Sequence, residues 1–161
     1  MSDSLVWQCI KDFNSFQRKR GCTSFRKGTI TLSAEPGNLT STNSFSASGL
    51  ANSRSIAITA SSAVVTKGKN KDKKVVQIVM SLKNAKKANK PAQGNTATRV
   101  RYTKYLKAEN CIASQTADNF YRADLVKAAT KKWSMLHQFR RANEGKSKGL
   151  VQKTGRKVGG K

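Results

Sequence analysis

Apolar residues change their spacing along the chain, and each change predicts a different element. Val6, Cys9, Ile10 and Phe13 recur at helical intervals, so residues 4–13 predict a short helix with Ser4 as its N-cap. About ten residues do not hold a helix alone in water, so its apolar face must pack on something. Trp7 and Phe16 are expected in that core; the alternative is that a ring beside basic residues stacks on an unpaired base. From Asn14 to Leu82 the period becomes two. Ile30, Leu32 and Ala34 alternate with Thr29, Thr31 and Ser33; Ile56, Ile58 and Ala60 alternate again; Val76, Ile78, Met80 and Leu82 form the clearest strand. Glu35-Pro36-Gly37-Asn38 predicts a turn, with proline presetting φ and glycine supplying a positive φ.

Between the last two strands lie five lysines in the eight residues 67–74, the expected tip of a long β-hairpin. Residues 83–98 are polar, contain Pro91 and Gly94, and predict an extended linker. Helical spacing then returns. Tyr105, Ala108, Ile112 and Thr116 share one face, and Leu125, Ala129, Trp133, Leu136 and Phe139 form a stripe on a second helix from about Ala123 to Ala142. The architecture expected is α+β: a short N-terminal helix on a small antiparallel sheet, followed by two helices and a basic extended tail. The expected divisions are an α+β domain over 1–98, a basic helical region over 99–144 and a Gly/Lys-rich tail over 145–161.

Composition sharpens this. Leu, Ile, Val and Phe number 31 of 161, with 20 before residue 83, so the first half has the makings of a small core. Residues 1–60 hold 7 basic and 3 acidic groups, whereas residues 61–161 hold 25 and 5, and the whole chain carries +24. The tail has five glycines, six basic residues and no acid, so it is expected to be disordered in isolation and ordered as an arm against a partner. No apolar run is long enough to span a bilayer, and Met1-Ser2-Asp3-Ser4 opens no secretory signal. Cys9, Cys22 and Cys111, odd in number and widely spaced, fit reduced thiols.

Catalytic chemistry finds little support. His137 is the one histidine and there is no C-x-x-C pair, so neither a zinc set nor a base beside a nucleophile is expected. Asp3, Asp12, Asp118 and Asp124 are scattered and suit caps or charge partners. Gly145-Lys146-Ser147 imitates the end of a phosphate-binding loop, but Arg140 stands where its first glycine is required. No catalytic residue, metal or cofactor is therefore expected. What remains is cationic. A surplus of this size calls for a polyphosphate, bound largely through counterion release. A mixed fold with several basic protrusions suits an irregular folded RNA. The candidate contacts are Arg18, Lys19, Arg20, Arg26, Lys27 and Arg54 in the first part. Lys83, Lys86, Lys87, Arg99, Arg101 and Lys104 follow. Arg122, Lys131, Lys132, Arg140 and Arg141 lie on the basic helix, and Lys146, Lys148, Lys153, Arg156 and Lys157 in the tail.

Several segments resemble a known family. Leu5-x-Trp7-x-x-Ile10, Ser15-Phe16-x-x-Lys19-Arg20, Glu35-Pro36-x-Asn38-Leu39, Asn43-Ser44-Phe45-x-x-x-Gly49-Leu50 and Tyr121-Arg122-x-Asp124-Leu125-x-x-Ala128-Ala129 occur in this order. Together they resemble the eukaryote-specific family of the twenty-eighth protein of the large ribosomal subunit. The resemblance implies a non-enzymatic constituent of the cytosolic large subunit, assembled in the nucleolus. It would be held by ribosomal RNA beside neighbouring ribosomal proteins, with no membrane partner and no homo-oligomer. Ala123 departs from the proline common before Asp124, which leaves the helix start less firmly set. A nucleolar biogenesis-factor family looks similar over the N-terminal region, but carries further cysteines and a long acidic extension. A non-specific DNA-binding protein is a third reading, suggested by the Lys/Gly tail.

Overall fold

The computed structural model describes residues 2–20, 30–64, 74–87, 90, 93–100 and 104–146. The hairpin tip at 67–73, Arg26, Lys27, Arg101, Cys22 and the tail from Ser147 lie outside the described residues, as do the side chains of Lys19, Arg20 and Arg99. The first helix, α1, spans Asp3–Ile10, followed by β1 (Gln17–Arg20), β2 (Ile30–Ser33), β3 (Ile56–Val64), β4 (Lys74–Lys83), β5 (Asn95–Arg99), α2 (Tyr105–Gln115) and α3 (Val126–Asn143). The α+β class holds, but the strands form two sheets rather than one: an antiparallel β1–β2 pair, and an antiparallel sheet in the order β3-β4-β5.

The core lies between one face of the larger sheet and the two C-terminal helices. Ile58 sits opposite Met80 and Ile56 opposite Leu82, so the period-2 positions of both strands fall on one face. Onto that face pack Ala108 and Ile112 of α2 and Ala129 and Trp133 of α3. The helical stripes expected for α2 and α3 are thus the buried ones. They end where the core ends: Tyr105 and Phe139 at the outer turns are about half exposed, at 48% and 54%.

Two expectations need correction. The supposed linker at 83–98 begins as the last residue of β4 and ends as most of β5, which pairs with Val79–Lys83. Asn95, Thr96 and Ala97 of this edge strand are exposed, so no hydrophobic alternation marks it. Backbone hydrogen bonds to β4 hold it, and its two threonines are the only local hint. The N-terminal helix also differs. Ser2, not Ser4, caps it by accepting from the Leu5 N–H at 3.4 Å. It stops at Ile10 because Asn14 donates to the Ile10 carbonyl at 3.3 Å while accepting from the Phe16 N–H at 2.9 Å. Phe13 therefore leaves the apolar face and is 92% exposed. No residue of α1 is buried. Trp7 is half-buried against Phe45, ring centroids 6.0 Å apart, and Phe16 is partly exposed, so neither belongs to the main core. The helix is fastened by polar contacts instead: Asp3 accepts from the Ser53 N–H and hydroxyl, both at 3.0 Å, and Asn43 donates to the Lys11 carbonyl at 2.9 Å.

Candidate nucleic-acid interface

The cations of this chain divide into those held inside the fold and those left at its surface. The first group gathers around the loop between β2 and β3. Glu35, Pro36 and Gly37 open it with a turn closed by the Asn38 N–H on the Glu35 carbonyl at 3.3 Å. Gly37 has φ +82°, which glycine adopts without strain. Gly49 presses against this turn so closely that a Cβ there would stand 2.1 Å from the Pro36 carbonyl oxygen. The Glu35 carboxylate is buried and accepts from Asn38 Nδ2 at 3.1 Å and Ser48 Oγ at 3.2 Å. Lys83, at the end of β4, donates to the Gly49 and Asn52 carbonyls at 3.0 and 2.8 Å.

The connection between α2 and α3 clamps the same loop from the other side. The Tyr121 hydroxyl accepts from the Ser55 N–H at 3.1 Å and donates to the Lys83 carbonyl. Burial pushes this phenol above its ordinary pKa. Arg122, in the left-handed region at φ +50°, forms a two-pronged pair with Asp124, at 3.0 Å for each prong. The same guanidinium donates to the Arg54 carbonyl at 3.1 Å and to the Ser46 carbonyl. The Arg54 guanidinium lies 5.9 Å from the centre of the Tyr121 ring. Lys83 and Arg122 were both expected at RNA. Their polar atoms are engaged with the protein, because four carbonyls of an irregular loop need donors.

The second group lies on α3, on the flank beside its buried stripe. Lys127, Lys131 and Lys132 line a cleft of about 480 Å³ whose opposite wall is Leu39, Thr40 and Ser41. Met135 and Ala128 complete it. None of the three lysines forms an ion pair among the described residues. Asp124 is the carboxylate at this cleft, and Arg122 holds it. A second cleft, about 250 Å³, adjoins the first through Ser41 and Lys132 and runs past Thr59 of β3. Lys127 escaped the sequence-based selection; its signal was the four-residue spacing to Lys131, which places both on one flank.

The remaining candidates are dispersed. Arg18, Arg54, Lys86, Lys87, Lys104 and Arg141 are exposed. Arg140 is half-buried, 3.7 Å from Glu144, and Lys146 pairs with Glu144 at 2.8 Å, which holds that carboxyl below its usual range. His137 stacks on Trp133 with ring centres 4.8 Å apart. Burial first, then Arg140 and Arg141, lower its pKa. Among the described residues no three His, Cys, Asp or Glu could together hold a metal ion, and no described helix is long and apolar enough to cross a membrane. Cys9 and Cys111 are free thiols.

Fold and surface together define a small basic α+β protein, in which a loop clasp engages some cations and leaves a lysine-lined flank unpaired among the described residues. The Ribosomal L28e protein family pattern matches residues 5–139, and the chain belongs to that family. A relative named large ribosomal subunit protein eL28, from Schizosaccharomyces pombe, is 30% identical over 136 residues, covering 84% of this chain and 90% of the relative. A protein of the same name from Dictyostelium discoideum is 39% identical over 98 residues, covering 61% of this chain and 59% of that protein. Of the five segments that carry the resemblance, 35–39, 43–50 and the start of 121–129 meet in the clasp.

Proposed function

We propose that this protein is a structural constituent of the cytosolic large ribosomal subunit, assembled in the nucleolus and held mainly by ribosomal RNA, with no catalytic step of its own. Family membership supports the ribosomal role. The observation that carries RNA binding is the flank of Lys127, Lys131 and Lys132, cations with no carboxylate partner among the described residues, in a chain of net charge +24. Such groups release counterions when they meet phosphates, so affinity falls with salt by about 0.7 to 0.9 in log–log slope for each contact. The dispersed exposed cations, Arg18, Lys86, Lys87, Lys104 and Arg141, add contacts on other sides, alongside neighbouring ribosomal proteins.

The test is fractionation of cells expressing the tagged chain, combined with the salt dependence of the purified protein on large-subunit RNA. Retention on large subunits through a high-salt wash, with a steep slope, is expected. Recovery only with nucleolar precursors would make it a biogenesis factor, recovery with chromatin a DNA-binding protein, and a slope near zero would remove the electrostatic mechanism.

A further inference from the structure

We infer that the cleft between α3 and residues 39–41 receives an unpaired, extruded segment of single-stranded RNA. In this cleft a phosphate would lie on Lys127, Lys131 and Lys132, and a base against Met135. The inference rests on the RNA-binding reading and names the form of RNA this site takes.

Four observations carry it. The cleft is concave and about 480 Å³, within the range that encloses a small organic group. The phosphates of a duplex lie on a convex surface with the bases stacked inside, so a duplex could meet the lysines but could not fill the space between them and Leu39. The lining is also mixed in the way a nucleotide is mixed. Lys127, Lys131 and Lys132 line it together with Thr40 and Ser41, and Met135 supplies exposed apolar surface beside the buried Leu39. Met135 is 60% exposed, so its thioether side chain is accessible to a group entering the cleft. Third, the acid that would oppose a phosphate is neutralised: Arg122 engages both oxygens of Asp124 at 3.0 Å. Last, the site continues. The second cleft begins at Ser41 and Lys132, so a strand leaving the first has a path along the sheet past Thr59. A smooth acidic protein surface would use the lysines but leave the apolar floor and this continuation without a role.

The experiment uses the full chain with a short uridine oligonucleotide carrying 4-thiouridine, beside a blunt RNA duplex of equal length. Photocrosslinks from the single strand are expected in the peptides containing Leu39 or Met135. Replacing Lys131→Ala with Lys132→Ala should lower single-strand affinity about tenfold and reduce the salt slope by about 0.7 per lysine. Met135→Ala should weaken single-strand binding several-fold without changing the slope, and leave the duplex unaffected. The control removes two exposed lysines elsewhere, Lys90→Ala with Lys107→Ala. Native far-UV circular dichroism verifies that each variant is folded. Crosslinks confined to other peptides, or a control pair as damaging as the cleft pair, would overturn the cleft while leaving RNA binding in place. Equal occupancy by poly-glutamate, blocking the crosslink at the same charge concentration, would reassign the cleft to an acidic protein. If the unaltered protein bound neither RNA, the RNA-binding reading itself would fail.

Discussion

Lys83 and Lys131 are the same residue type in one basic chain, and the fold uses them in opposite ways. The Lys83 ammonium lies between two loop carbonyls, whereas Lys131 lines an open cleft with no anionic partner among the described residues. The difference comes from the backbone around them. Residues 34–55 form a long loop with little regular pairing, so its carbonyls and N–H groups must be satisfied by side chains: Lys83 and Arg122 donate to its carbonyls and the Tyr121 hydroxyl accepts from the Ser55 N–H. The carbonyls around Lys131 are already used by the helix. A cation in this protein is therefore structural or available according to whether irregular backbone lies within its reach.

Substitutions can break that comparison at its strongest point first. Gly49→Ala places a Cβ 2.1 Å from the Pro36 oxygen and 2.8 Å from Gly37, both backbone. The loop must shift, and a loss of about 3 kcal/mol or more in urea unfolding is expected. An unchanged midpoint would show the loop to be plastic and the clasp unimportant. Arg122→Ala and Lys83→Met should each cost about 1–3 kcal/mol, since each strips donors from loop carbonyls. Lys131→Ala should change stability by no more than about 0.5 kcal/mol while weakening RNA binding. Equal stability losses at the two kinds of site would erase the distinction between them.

Trp7→Ala sharpens the boundary of the core. A buried tryptophan would cost about 3–5 kcal/mol. Because Trp7 is only half-buried against Phe45, about 1–2 kcal/mol is expected in the same assay. The smallest effect is that of pH. The His137 pKa lies below its ordinary 6.5, so the unfolded chain binds this proton more readily than the native one. Its contribution to stability is complete above about pH 6.5 and is lost as pH falls through the lowered native value. His137→Gln should flatten that part of the stability profile. A native-state titration midpoint at or above 6.5, read by NMR, would contradict the sign.

Legibility followed periodicity. The strands at 56–64 and 74–83 and the stripes of α2 and α3 were readable because each buries one face against the same core, and burial imposes a period. The β5 strand was hidden because its residues bury little and its backbone alone pairs. The end of α1 is not legible, because Phe13 fits a helical interval while Asn14 closes the helix before it. The candidate site was legible in composition and not in position. A count of lysines and arginines cannot separate Arg122, with its donors on Asp124 and two carbonyls, from Lys127 on the cleft.

By itself, the sequence determined the class of elements, the large cationic surplus and the family, because local periodicity, net charge and ordered motifs are properties of the chain. The tertiary structure decided which cations remain available and where a groove opens beside them. That depends on backbone far apart in sequence: Ser46 and Arg54 brought to Arg122, Gly49 to Pro36, and residues 39–41 to the lysine flank of α3. Whether a charge is neutralised is set by what stands within about 4 Å of it, and only the folded chain fixes those distances.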